Sequence, residues 1–213
     1  MTTGEHDRVW YAAYGSNCDA ERFRLYLEGG SVAGTDRVHR GARDPSPPSA
    51  TGPVTFSSSL CFRGHSALWG GAPAFLEHRR AAAPNRGALG RRYLISHAQF
   101  EDVLAQENGR PTHPVSLPPT SASAITGTGR YDRVVTLSTL DGIPVVTFTS
   151  PEPPEHDTGA PPSAAYLGHI ARGIAAVHDL DPAEISARLL EAPGVRPRWD
   201  HAAIIELIRH RTE

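Results

Sequence analysis

An apolar run, Val9-Trp10-Tyr11-Ala12-Ala13, leads into Tyr14-Gly15-Ser16-Asn17, and an amphipathic stretch with Phe23, Tyr26 and Leu27 on one face begins a few residues later. The run predicts a strand, and the stretch predicts a helix over residues 20–28 with Gly29 as its stop. The four residues between them must then form a strand-to-helix turn. A glycine in such a turn lets the backbone approach a ligand with no Cβ in the way. N–H groups ahead of a helix also attract negative charge. The turn is therefore either an ordinary tight connection or a cradle for a carboxylate or an oxyanion.

A chain of 213 residues suits one domain, with a core over residues 7–178 and a helical appendage over residues 179–213. Its 19 prolines and 20 glycines fall in clusters, which marks a folded, loop-rich protein. The net charge of −2, and 21 basic residues that are all arginine and never form a run of four or more, argue against nucleic acid and a membrane surface as partners. No apolar stretch is long enough to span a bilayer and the N-terminus does not resemble a secretion signal, so the expectation is a cytoplasmic protein. The eleven histidines include no metal-binding spacing, and neither a metal nor another cofactor is expected. Cys18 and Cys61 are expected to be reduced.

The remaining pattern alternates short strands with a few well-capped helices. Residues 44–53, rich in Pro and Ser, are expected to be irregular, with strands following at 60–62, 72–76 and 88–95. Ser96 and Gln99 form a capping box that opens a helix over residues 97–108. Residues 110–129 show no period and suggest a long loop of the kind that often serves as a lid. Asp141-Gly142 predicts a two-residue hairpin turn between strands 131–140 and 143–149, and Pro144 suggests that the second strand is an edge. Ser163, Asp181 and Asp200 cap three closing helices. Strands first and helices last indicate an α+β domain.

On the helix from His97, residues Phe100, Val103 and Leu104 define the apolar face, and Glu107 is the next position along it. An apolar surround and the unpaired carbonyls of a last helical turn both favour a carboxyl that holds a proton, the property a general base needs near neutral pH. The bland alternative is a glutamate tied to an arginine or to the backbone. No protein nucleophile accompanies it. Ser16 lacks a Gly-x-Ser-x-Gly setting, and Cys18 has no histidine partner in the sequence. A nucleophile carried by the substrate fits this pattern.

The Tyr14-Gly15-Ser16-Asn17 turn followed by Glu107 on a later helix resembles the γ-glutamylcyclotransferase-like family. Further landmarks in the same order are Trp69-Gly70-Gly71, Tyr93-Leu94-Ile95, Tyr131-Asp132-Arg133-Val134-Val135 and Pro162-Ser163-Ala164-Ala165-Tyr166-Leu167. The resemblance implies a small mixed β-barrel flanked by helices. It implies intramolecular attack of a γ-glutamyl α-amine on its own γ-carbonyl, releasing 5-oxoproline and a free amine. Glu107 would be the catalytic base, taking the ammonium proton and returning it to the leaving amine. Tyr14, Gly15, Ser16 and Asn17 would bind the substrate, with Trp69, Tyr131 and Tyr166 as further substrate contacts. The partner would be a small γ-glutamyl amine or amide, one option being a biosynthetic intermediate carrying a γ-glutamyl protecting group.

This chain has Cys18 where the family has an aliphatic residue, which keeps a Cys18-dependent amidohydrolase or acyltransferase open. A non-catalytic member that binds a small acidic metabolite is the other alternative. Trp69 serves equally as a bulge plug, and Tyr131 and Tyr166 equally as structural tyrosines. His113 is read as a solvated loop residue.

Overall fold

The apolar run at the start of the chain forms β1 (Arg8–Ala13), with Val9, Tyr11, Ala12 and Ala13 buried. A computed structural model describes residues 7–31, 38–81, 86–152, 161–196 and 198–210. In it β1 is followed by a 3-10 turn (Ser16–Cys18), α1 (Ala20–Glu28), β2 (Gly30–Ser31), β3 (Val38–His39), β4 (Ala50–Thr55), β5 (Ser58–Phe62) and β6 (Ala74–Arg80). Then come β7 (Leu89–Ser96), α2 (His97–Glu107), β8 (Ser123–Ile125), β9 (Arg133–Leu140), β10 (Ile143–Thr149), α3 (Ala164–Ala175), α4 (Pro182–Leu190) and α5 (His201–Arg209). This is the α+β class that the residue pattern implies. The chain groups into two units, one from the described residues of Met1–Ala12, Glu21–Thr51 and Arg92–Glu152, the other from those of Ala13–Ala20, Gly52–Arg91 and Pro153–Glu213.

The first unit is organised by a six-stranded sheet in the order β4-β7-β1-β10-β9-β8. Strands β1 and β10 run parallel, with Trp10 opposite Val145 and Tyr11 opposite Val146, while β9 and β10 form an antiparallel hairpin. Asp141 and Gly142 both have positive φ (51° and 78°), as the two-residue turn requires. Aromatic rings fill the core. Tyr11 stacks on Phe148 with ring centroids 5.3 Å apart, and Phe23 stacks on Tyr93 at 4.2 Å. Phe100 lies 5.9 Å from Phe148. Helix α1 contributes Phe23, Tyr26 and Leu27, and α2 contributes Phe100, Val103 and Leu104, the faces that their periodicity marks. Burying each such side chain is worth about 1.5–3 kcal/mol.

Three sequence expectations change here. The Pro/Ser stretch is not irregular throughout, because Ala50–Thr55 forms β4; Pro53 is tolerated there since β4 ends the sheet order and one side of it needs no ladder donor. Conversely, β10 is not an edge strand. It lies between β1 and β9, and Pro144 is accommodated because pairing with β1 is described from Val145 onward, one residue past the proline. The segment 110–129 is pinned to its unit instead of standing away as a lid. It contains β8 on β9, and Thr112 donates to Asp102, Val115 N to Glu101, and Thr136 Oγ1 to Pro118 O.

The second unit joins the β5–β6 hairpin to three helices. Leu60, Cys61 and Phe62 face Leu76, Phe75 and Ala74 across the hairpin. Each helix begins as its cap residue dictates: Ser163 accepts from Tyr166 N, Asp181 and Glu184 form a reciprocal capping box, and Asp200 accepts from Ala203 N. Leu167, Ile170, Ala171 and Ile174 of α3 are buried together with Ile185 and Leu189 of α4 and Ile204 and Leu207 of α5, and these helices pack on one another. Gly173 brings α3 against the 3-10 turn, where a Cβ would fall 2.2 Å from the carbonyl carbon of Cys18.

Candidate functional site

The Tyr14–Asn17 turn belongs to the second unit. Gly15 has φ −97° and ψ −151°, an extended conformation open to any residue, so its glycine is explained by space and not by backbone angle. A Cβ at Gly15 would come within 3.1 Å of the Tyr166 hydroxyl. That hydroxyl accepts a hydrogen bond from Ala74 N at 3.0 Å, which fixes it above the turn. The 3-10 turn uses the N–H groups of Cys18 and Asp19, which donate to Gly15 O and Ser16 O at 3.0 and 3.1 Å. Among the described residues, the N–H groups of Gly15 and Ser16 enter no backbone hydrogen bond. Ser16 and Asn17 are both buried, and Tyr14 packs edge-on against Phe56 at 5.9 Å.

Trp69 and Tyr166 come to the same place. Residues 66–71 fold into a turn closed by Ser66 N donating to Gly71 O, and the half-buried Trp69 ring lies 4.9 Å from that of Tyr166. Gly71 permits this because a Cβ there would meet Pro161 O at 2.5 Å, just ahead of α3. His169, one turn along α3 from Tyr166, donates from Nδ1 to Asp19 Oδ2 at 2.8 Å and meets Trp69 at 5.6 Å between ring centroids. Neither Asp19 nor His169 stands out in the sequence. The signal for His169 is only its i+3 spacing from Tyr166.

Cys18 lies in this turn but is sealed in. Its thiol is inaccessible and donates to Ala13 O at 3.3 Å, and burial pushes its pKa up to about 12. At neutral pH almost none is thiolate, the form a nucleophile needs, which weighs against a Cys18-dependent amidohydrolase or acyltransferase. Cys61 is a buried free thiol, its pKa pushed up to about 11 mainly by burial. Among the described residues no group of three or more His, Cys, Asp and Glu is placed to hold a metal ion, and no helix is long and apolar enough to cross a membrane.

Glu107 and Tyr131 belong to the first unit. Glu107, the last residue of α2, is half-buried, while its neighbour Gln106 turns inward and donates to Tyr26 O at 2.9 Å. Glu107 lines an open cleft of ≈ 760 Å³ together with His39, Arg40, Gln106, Asn108 and Arg110. The end of α2 is locked by the side chain of Asn108. Its Nδ2 donates to Leu104 O and Asp132 Oδ1, and its Oδ1 accepts from Tyr131 N at 2.9 Å. Asp132 is completely buried. It pairs with Arg110 at 2.6 Å and accepts from Gly129 N at 2.6 Å. The Tyr131 ring meets Phe148 edge-on at 6.0 Å. His113 is not simply solvated, since its Nε2 lies 3.4 Å from Arg110 Nη2. Asp132 and Asn108 were not singled out for function in the sequence. Their signal was a carboxylate two residues ahead of an apolar pair, Val134-Val135, and an amide just past a helix end.

No family model matches the chain. A stretch of 103 residues, 47% of this chain, is 41% identical to histone deacetylase 5 of Arabidopsis thaliana, and it spans only 15% of that protein's length. Among solved structures, a gamma-glutamyl cyclotransferase matches with a TM-score of 0.55 and 16% identity, covering 96% of this chain and 100% of its own. A protein from Homo sapiens described as uncharacterized matches with a TM-score of 0.54 and 18% identity over the same shares. At these identities the likeness concerns the fold: the chain folds as γ-glutamylcyclotransferases do.

Proposed function

We propose that this protein is a γ-glutamylcyclotransferase-type enzyme acting on a small γ-glutamyl amine or amide, without a cofactor. The α-amine of the γ-glutamyl group attacks its own γ-carbonyl, the C–N bond to the departing amine breaks, and 5-oxoproline and a free amine are released. The observation that carries this reading is the Tyr14–Asn17 turn. Among the described residues its Gly15 and Ser16 N–H groups enter no backbone hydrogen bond, its Ser16 and Asn17 are buried, and the buried Tyr166 hydroxyl stands next to Gly15. Such donors suit a substrate α-carboxylate or the oxyanion that develops at the γ-carbonyl. Glu107 is the base that takes the proton of the attacking ammonium, and Trp69 and Tyr131 contact the substrate. The half-burial of Glu107 in an open cleft supports that role. Ring closure within one bound molecule depends on orientation, and alignment of reacting groups can contribute about 7–11 kcal/mol.

The test is incubation with a panel of γ-glutamyl amines and detection of 5-oxoproline by mass. Glu107→Gln should lose ~10²–10⁴-fold in turnover. Cys18→Ala should keep it, and thiol alkylation of the native protein should have no effect. Undiminished turnover in Glu107→Gln would reject the base. Absence of product from every substrate, with thermal stabilisation by one of them, would point instead to a binding protein.

A further inference from the structure

We propose that the second unit carries a binding pocket for a small monocarboxylate with an apolar body, and that Arg188 is the residue that holds the carboxylate. Every residue lining this pocket belongs to that unit, and none of Tyr14–Asn17, Trp69 or Tyr166 is among them. The site is therefore separate from the residues assigned to a γ-glutamyl substrate, and the inference does not depend on the cyclotransferase reading.

The pocket lies where the end of α4 meets β5, the start of β7 and the last turn of α3, and its volume is ≈ 270 Å³. That is roughly the share of nine waters in the liquid. It falls just below the about 300–1,000 Å³ of pockets that take drug-sized molecules, so its ligand is small. Leu60, Leu89, Ile174 and Leu189, all buried, supply the apolar lining. Close packing leaves few voids larger than one water among such side chains, and a recess of this size between four elements is a departure that a ligand with an apolar body accounts for.

The charged lining says what the other end of that ligand carries. Arg86 Nη1 donates to Glu191 Oε1 at 2.9 Å, and both side chains are exposed, so this pair satisfies itself in solvent. Arg188 is half-buried, donates from Nη2 to Gly87 O, and among the described residues has no carboxylate paired with it. A backbone carbonyl satisfies one donor of the guanidinium but does not neutralise it, and the planar fork that remains matches a carboxylate. The two arginines and one glutamate of the lining leave one positive charge uncompensated. A monoanion balances that charge, whereas a dianion such as a phosphate ester exceeds it and faces the Glu191 carboxylate as well.

The test titrates the whole chain with hexanoate by calorimetry, using hexanol and acetate as controls that remove the charge and the apolar body in turn. Hexanoate should bind saturably, and each control should bind more than ~10-fold more weakly. Amide chemical-shift changes on adding hexanoate should centre on Ala88, Leu89, Ile174 and Leu189. Arg188→Gln should weaken hexanoate binding by ~10-fold or more, and Arg188→Lys, which keeps the charge but loses the fork, by a smaller factor. The shift map of the wild-type protein carries the test should Arg188→Gln fail to fold. The proposal is overturned if hexanoate does not bind, if hexanol or acetate binds as tightly, if a folded Arg188→Gln keeps full affinity, or if the shift changes fall elsewhere.

Discussion

Asp132 shows how much one side chain can hold in place. Its buried carboxylate receives Arg110, Gly129 N and Asn108 Nδ2, and the Asn108 side chain in turn accepts from Tyr131 N. An ionised group with no exposure survives only when it is paired and hydrogen-bonded, and removing its charge leaves the arginine without a counterion. Asp132→Asn should therefore destabilise the protein by on the order of 3 kcal/mol in urea unfolding, although the side-chain volume hardly changes. Asp102 is a milder case. Burial alone would raise its pKa, but the Thr112 hydroxyl and the Arg43 N–H and guanidinium outweigh burial and hold it below the usual carboxylate value. The sequence showed Tyr131 and Glu107 as candidates but not the aspartate that links them, because nothing local distinguishes a buried carboxylate from a solvated one.

At the scale of the element, α3 is the helix that shapes the turn. Ser163 starts it, Tyr166 and His169 face the turn one helical turn apart, and Gly173 makes the closest approach. Gly173→Ala places a methyl group 2.2 Å from a backbone carbon that no rotamer change can move, so the helix or the turn must shift. Overpacking of this kind costs about 1–3 kcal/mol. The variant should show a lowered melting temperature together with reduced 5-oxoproline formation. The caps of α2, α3, α4 and α5 were legible in the sequence because a cap is a contact over three residues. The position of β10 was not. A proline suggests an edge only when neighbouring strands are unknown, and here the first described pair with β1 begins just beyond it.

For the whole molecule, the pH response depends on where burial puts titratable groups. His178, past the end of α3, donates from Nε2 to Gly90 O at 2.8 Å and is half-buried. Burial lowers its pKa below 6.5, the Gly90 carbonyl raises it in part, and Arg188 lowers it further. The sign follows from the proton count. Above about 6.5 the histidine is neutral whether the chain is folded or unfolded, and its contribution to stability is complete. As the pH falls through about 6.5 the unfolded chain takes up a proton that the folded one does not, and stability declines until the folded-state pKa is passed. The melting temperature should therefore fall as the pH drops below about 6.5, and His178→Gln should flatten that part of the profile.

Contacts between residues near in sequence were decided by the chain itself. They include the strand–turn–helix around Tyr14–Asn17, the Asp141-Gly142 hairpin and the helix caps, since each depends on backbone preference and a few neighbouring atoms. Tertiary structure alone decided that Cys18 is a buried thiol, that residues 110–129 lie pinned along their unit, and that Asp19 meets a histidine 150 residues away. Burial and long-range pairing depend on what the rest of the chain brings alongside a residue, and no local pattern carries that information.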